Sequence, residues 1–158
     1  MNNNGRIVAL DVGSKRIGVA SANVVARLAT PLKTLEVGDD IYEQICNLLA
    51  AETAVGLVVG LPRGMQGQDT AQTEFVQKFA ADFRQHITIP LYWQDEAVTS
   101  VLSEAALKAK KGSYVKGDID ALAATIILED FLANNQEFKG WRISYKEQIK
   151  NDGLYSFQ

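Results

Sequence analysis

The order of periodic segments along the chain constrains its fold more than any other feature. Three strand-like segments follow one another through short connections, at residues 6–11, 16–21 and 30–36. Two further strand-like segments, 55–60 and 87–93, alternate with segments of helical period. This order predicts a mixed α/β fold with a five-stranded sheet: an antiparallel meander of strands one to three, then parallel strands four and five, flanked by helices.

Four helices are expected, at residues 39–52, 69–86, 98–110 and 118–133. Either Asp39 or Asp40 can cap the first helix. The apolar face of that helix consists of Ile41, Ile45, Leu48 and Leu49. In the second helix, Phe75, Phe79 and Phe83 are spaced four residues apart, which predicts a core stripe.

The carboxyl ends of strands one, four and five are expected to share one edge of the sheet. Right-handed crossovers place strand four beside strand one and strand five outside it. Asp11 ends strand one, and Asp95 and Glu96 come directly after strand five. Because ligands of open α/β sheets gather at this edge, these acids are candidates for a functional site.

Each acid also has an ordinary structural interpretation. Asp11 begins an Asp-Val-Gly-Ser segment that suits a turn, although a carboxylate that ends an apolar strand loses hydration unless a cation or donor meets it. Asp95 and Glu96 could cap the helix that begins at Val98. The residues alone leave both interpretations open.

Two acids lie at the start of the last helix. Asp118 is expected to be its N-cap, which places Asp120 in the first turn, where the helix dipole favours an acid. Asp120 also shares an angular position with Ile127 and Phe131, which should face the sheet. We therefore expect the carboxylates of Asp11, Glu96 and Asp120 to converge and to bind one or two Mg²⁺ ions, as in metal-assisted phosphodiester cleavage.

Other kinds of site find little support in the sequence. The single histidine, His86, is expected to have a surface or capping role, and one cysteine with one histidine cannot form a structural zinc site. The glycine-rich segment 60–67 lacks the ending of a P-loop. It is either a flexible connection or a backbone surface that phosphates approach.

Composition indicates one ordinary globular domain of about 133 residues followed by a tail at 134–158. The chain has 158 residues, 47% of them hydrophobic, a net charge of −3 and the single cysteine Cys46. No apolar run is long enough to cross a membrane, no leader is recognised, and one cysteine fits a reducing compartment.

The expectation is a cytoplasmic monomer or homodimer. The charge leaves nucleic-acid binding open, because basic residues cluster locally at 15–16 and 108–116.

Four segments, in order, resemble the motifs of the YqgF family of Holliday junction resolvase-like, pre-16S rRNA nucleases. They are Asp11-Val-Gly-Ser-Lys-Arg-Ile-Gly18, Val58-Val-Gly-Leu-Pro62 with Gly67, Asp95-Glu96-Ala-Val-Thr-Ser100, and Lys116-Gly-Asp-Ile-Asp-Ala-Leu-Ala-Ala124. The similarity covers roughly residues 6–133.

This resemblance implies a ribonuclease H-like fold, dependence on Mg²⁺ or Mn²⁺, and maturation of the 5′ end of precursor 16S rRNA. It also implies that Asp11, Glu96 and Asp120 are the catalytic, metal-binding acids. Branched DNA is the alternative substrate, and ribosome-assembly proteins are candidate partners. Basic residues expected to contact nucleic acid are Lys15, Arg16, Arg63 and Lys116.

One position departs from the family pattern: Ala97 stands where the family has arginine. Without this arginine, the chain lacks a guanidinium whose charge and N–H donors could orient Glu96 or bind a phosphate, unless a neighbour such as Arg63 compensates. This departure keeps open a second hypothesis, an RNA- or ribosome-assembly-binding module that does not cleave. A sugar-kinase or actin-like ATPase is disfavoured, because such proteins need two domains of this kind around the nucleotide.

The tail at 134–158 lies outside the region of resemblance. Its aromatic residues could stack on RNA bases, or the tail could pack on the domain or on a second subunit. The aromatic residues concerned are Trp141, Tyr145, Tyr155 and Phe157.

Overall fold

The computed structural model describes residues 5–111, 118–136 and 154–156. Its strands are β1 (Arg6–Val12), β2 (Arg16–Asn23), β3 (Thr30–Glu36), β4 (Ala54–Arg63), β5 (Leu91–Ala97) and β6 (Leu154–Ser156). Its helices are α1 (Ile41–Ala51), α2 (Ala71–Phe83), α3 (Val98–Lys110) and α4 (Ile119–Asn134), with a 3₁₀ turn at Arg84–His86. Within the described ranges, no helix is both long and apolar enough to span a bilayer.

The strands form one mixed sheet in the order β3-β2-β1-β4-β5-β6. β1 to β3 pair antiparallel, whereas β4 is parallel to both β1 and β5. The predicted arrangement of the first five strands is therefore confirmed. A sixth, three-residue strand from the predicted tail pairs parallel with β5. Three of the four tail aromatics, Trp141, Tyr145 and Phe157, lie outside the described residues.

The sheet separates two apolar layers. One core packs α1 and α2 against alternate residues of β1, including Val8 and Leu10. The other packs α4 against Ile7 and Ala9, and α3 packs on α4. Because side chains alternate along a strand, Asp11 lies on the α4 face.

The predicted aromatic stripe of α2 is only partly correct. Phe83 is fully buried and Phe79 packs against the core, but Phe75 is 41% exposed. A spacing of four residues exceeds the helical period of 3.6, so successive phenylalanines drift around the helix. The buried face instead runs through Thr73, Val76, Ala80 and Phe83.

Strand β4 is longer than its apolar run predicts, and strand β5 is shifted by four residues toward the C-terminus. Strand β5 begins at Leu91 instead of residue 87 and ends at Ala97 instead of residue 93. Its ladder with β4 runs to the pair Arg63–Ala97, so half of the segment 60–67 is strand. Asp95 and Glu96 are thus strand residues, and neither caps α3.

The start of α4 is fixed against the meander. Asp118 occupies the N-cap position but makes no capping bond; its carboxylate accepts a 2.5 Å hydrogen bond from the Thr34 hydroxyl instead. A side chain at Gly18 would overlap the backbone carbonyl of Asp120. This close approach of backbones holds Asp120 above the end of β2.

We expect Gly18→Ala to destabilise the fold by about 3 kcal/mol, because a rigid backbone cannot yield to the added methyl group as a flexible side chain would. Gly38→Ala is the matched control, since its new Cβ would lie 3.5 Å from the nearest atom, the Oδ1 of Asp40. Urea unfolding measures both free energies. Equal effects of the two substitutions would contradict the packing described here.

Candidate active site

Asp11 stands at the carboxyl end of β1. It follows Ile7 and Ala9 on the face covered by α4. The surrounding protein raises the pKa of its carboxyl to about 6, mainly by removing it from water and secondarily through the charge of Asp120. Asp11 and Asp120 therefore lie close enough for their charges to interact.

Glu96 lies on the same sheet face, near the end of β5. Burial raises the pKa of its carboxyl to about 9, and a hydrogen bond with the Asp130 carboxyl adds to this effect. The charges of Asp130, Glu104 and Asp95 raise the pKa further. Its Oε1 is buried and meets no hydrogen-bond donor among the described residues.

Asp11 and Glu96 line one pocket of about 180 Å³ at the edge formed by β1, β4 and β5. Gln72 of α2 stands at its wall and donates a 3.2 Å hydrogen bond to the carbonyl of Val12. The remaining lining is largely apolar and includes Val76, Val101, Leu102 and Ile127. The pocket is thus a poorly hydrated space that contains two carboxyl groups.

Asp120 faces a different neighbour. Its Oδ2 accepts a 2.9 Å hydrogen bond from Nε of Arg16, and it does not line the pocket. Across residues 5–111 and 118–136, no three acidic, histidine or cysteine side chains are close enough together to hold a metal ion. The expected convergence of all three acids is therefore incomplete, because Arg16 engages Asp120 while Asp130 engages Glu96.

The donor set nevertheless fits a divalent cation. The pocket offers carboxylate oxygens, which Mg²⁺ and Mn²⁺ prefer, and one of them, Oε1 of Glu96, is buried without a donor. A cation would offset the desolvation that raises the pKa of both carboxyls. Asp11 and Glu96 would hold it, and Asp120 is a further acid beside Asp11, because its backbone lies over Gly18, the neighbour of Asp11 across β1 and β2.

Asp130 is an acid beside the candidate site that the sequence motifs did not indicate. It lies ten residues after Asp120 in α4 and three residues after Ile127, which faces the pocket. Its carboxyl reaches Glu96 across the helix–sheet interface. The signal that could have revealed it is its i+3 spacing from a sheet-facing residue.

The basic residues expected to bind nucleic acid are in different situations. Lys15 is exposed in the turn between β1 and β2. Arg63 forms ion pairs with Asp69 and, at 3.6 Å, with Oδ1 of Asp95. Lys116 lies outside the described residues, and Arg16 is paired with Asp120.

The glycine-rich segment contributes to the pocket, whereas the single histidine does not. Gly60 lines the pocket, and a side chain there would meet Ile127. Its lack of a Cβ lets α4 approach the sheet at this point. His86 lies away from the pocket, with its ring centroid 5.0 Å from that of Tyr42.

The raised pKa values predict that the metal-free protein loses stability as pH rises. Between the unfolded values near 4 and the folded values of about 6 for Asp11 and about 9 for Glu96, the folded state binds more protons than the unfolded state. The free energy of unfolding must therefore fall over this range. Urea unfolding in EDTA from pH 5 to 9 should show the decline, and Glu96→Gln should reduce it. A free energy of unfolding that rises with pH over this range would contradict the raised pKa values of Asp11 and Glu96.

Comparison with known proteins identifies relatives of the whole domain. Residues 5–134 match the model of the RuvX family, described as Holliday junction resolvase. A protein of Synechocystis sp. is 42% identical over 129 residues, which are 79% of this chain and 85% of the relative. One from Chloroflexus aurantiacus is 40% identical over 130 residues, covering 80% and 85%. Both are named "Putative pre-16S rRNA nuclease".

Solved structures agree on the fold. RuvC of Thermus thermophilus, in complex with a Holliday junction substrate, matches with a TM-score of 0.50 at 14% identity, covering 82% of this chain and 94% of RuvC. This likeness supports the ribonuclease H-like fold that the sequence motifs implied. With a family model matched over nearly the whole described domain and relatives of 40% identity, the chain belongs to the RuvX Holliday junction resolvase family, a family of nucleases that hydrolyse phosphodiester bonds.

Proposed function

We propose that this protein is a divalent-cation-dependent endonuclease that cleaves structured nucleic acid and matures the 5′ end of precursor 16S rRNA. Its catalytic, metal-binding residues are Asp11, Glu96 and Asp120. The observation that carries the proposal is the pocket at the sheet edge, which both Asp11 and Glu96 line and in which an oxygen of Glu96 is buried without a donor among the described residues.

The residues of the pocket perform two tasks in this proposal. Asp11 and Glu96 release their protons to solvent when they bind a cation, and their raised pKa values oppose this exchange at low pH. The apolar walls limit access of bulk water, which strengthens electrostatic interactions inside. The cation, when bound, supplies charge stabilisation at the scissile phosphate and activates the attacking water.

Binding of the nucleic acid requires positive charge at the rim of an otherwise acidic site. Lys15 is exposed beside the end of β1, and Arg63 ends β4 at the same edge. With Arg16 and Lys116 they would contact phosphates, which position a nucleic acid without reading its sequence. The RNA substrate is inferred from the names of the relatives that are 40–42% identical.

Two alternatives have specific support. The family model is described as a Holliday junction resolvase, which favours a four-way DNA junction as substrate. Ala97 and the incomplete convergence of the three acids favour a module that binds RNA without cleaving it. One assay separates all three.

The assay incubates the protein with Mn²⁺ and, separately, a precursor 16S rRNA fragment and a four-way DNA junction. The proposal predicts cleavage of the RNA at a defined position, loss of cleavage in EDTA, and loss in Asp11→Asn. Cleavage of the junction alone would assign DNA as substrate. Binding of RNA without Mn²⁺-dependent turnover would overturn the nuclease proposal.

A further inference from the structure

The ion pair between Arg16 and Asp120 connects two distant parts of the chain at the edge of the pocket. Nε of Arg16, the first residue of β2, lies 2.9 Å from Oδ2 of Asp120, in the first turn of α4. The Arg16 side chain is 53% exposed and that of Asp120 32%. The two partners therefore differ in mobility. The backbone of Asp120 is fixed over Gly18, whereas the exposed guanidinium of Arg16 can move into solvent.

The pair also belongs to the electrostatics of the pocket. Asp11 pairs with Gly18 across β1 and β2, and the backbone of Asp120 lies directly over Gly18, so the carboxylates of Asp11 and Asp120 are neighbours and repel each other in the protein without a cation. The guanidinium of Arg16 offsets part of this repulsion by neutralising Asp120. A divalent cation beside Asp11 would offset the same repulsion more strongly.

Arg16 and a cation therefore compete for one carboxylate. An oxygen that accepts a hydrogen bond from a guanidinium is less available as a metal ligand, and a positive charge nearby also repels an incoming cation. Oδ2 of Asp120 is occupied in this way.

We propose that Arg16 is a positioning residue: a built-in counter-ion that holds Asp120 in the metal-free protein and releases it when a divalent cation binds beside Asp11. This inference rests on the proposed cation dependence. It adds which residue neutralises Asp120 before the cation binds. The exchange substitutes one ionic partner of Asp120 for another and breaks no covalent bond.

Calorimetric titration with Mn²⁺ tests this exchange without measuring cleavage. Arg16→Gln should bind Mn²⁺ about ten-fold more tightly than the unmodified protein, because the competing charge is gone. Arg16→Lys keeps the charge but loses the planar donor, so its affinity should lie between the two. Lys33→Gln is the matched control; it removes one exposed positive charge from β3 of the same meander and should change the affinity less than two-fold.

The outcomes separate this inference from the proposed function. If Asp11→Asn abolishes Mn²⁺ binding but Arg16→Gln binds no more tightly than Lys33→Gln, the counter-ion role is wrong and the metal site stands. Weaker binding by Arg16→Gln would likewise overturn it. If the unmodified protein binds no Mn²⁺ at millimolar concentrations, both the metal site and the exchange are refuted. Urea unfolding of each variant verifies that Arg16→Gln and Arg16→Lys remain folded.

Discussion

Glu96→Gln is expected to lower the cleavage rate by about 10³-fold or more while making the metal-free protein more stable. The rate falls because a neutral amide is a poor ligand for the cation that stabilises charge in the transition state. Stability rises because the fold no longer buries a carboxyl whose pKa is held at about 9. Single-turnover cleavage with Mn²⁺ and urea unfolding in EDTA measure the two effects.

Opposite changes in activity and stability distinguish a functional acid from a structural one. Glu104→Gln is the matched control, because Glu104 is exposed on α3 and influences Glu96 only through its charge. It should change the cleavage rate less than about three-fold. If Glu96→Gln destabilises the protein, or retains a tenth of its activity, Glu96 is not a ligand of the catalytic cation.

Ala97→Arg is expected to increase cleavage by about ten-fold or more. A charge-assisted contact to a phosphate or to Glu96 contributes roughly 1.5–3 kcal/mol, which gives this factor if it acts in the transition state. The position can accept a long side chain, because Ala97 ends β5 and is only partly buried. Single-turnover rates and RNA affinity should be measured together.

Arg63, the neighbour of Ala97 in the sheet, could already supply the missing positive charge, so the experiment needs a control for charge. Ala97 pairs across the sheet with Arg63, whose guanidinium already contacts Asp95 and Asp69. Ala97→Gln adds length without charge and should leave the cleavage rate nearly unchanged. If Ala97→Arg tightens RNA binding without raising turnover, the binding-module alternative is favoured. No change in either quantity would show that Arg63 already fills this role or that the site needs no charge there.

The sequence predicted the elements that depend on local periodicity. The two-sided burial of β1, the apolar face of α1 and the sheet-facing positions Ile127 and Phe131 all follow from spacing and are confirmed. The order of the first five strands follows from right-handed crossovers. These features place Asp11 and Glu96 at one edge, where they share a pocket.

The sequence could not predict features that arise from contacts between distant segments. The position of β5 depends on its partner β4, whose ladder continues past the apolar run to Arg63. Phe75 turns away from the core because small differences between spacing and helical period accumulate. Boundaries set by partners in the sheet are not encoded in the local pattern.

The same limit applies within the site. Arg16 and Asp120 are separated by 104 positions in the chain, and their ion pair depends on how α4 crosses the sheet. The hydrogen bond between the carboxyl groups of Glu96 and Asp130 depends on the same crossing. The motifs singled out these acids as candidates, but only the packed structure shows which neighbour each acid has.

We expect a divalent cation to bind between the acids at the carboxyl ends of β1 and β5. Diffraction from crystals soaked in Mn²⁺, recorded at the manganese absorption edge, locates the ion directly. We expect an anomalous peak at about 2.2 Å from a carboxylate oxygen of Asp11, with a second ligand from Glu96 or Asp120 and with Arg16 displaced if Asp120 is bound. A peak elsewhere, such as at Asp39 and Asp40, or no peak in well-diffracting soaked crystals, would contradict it.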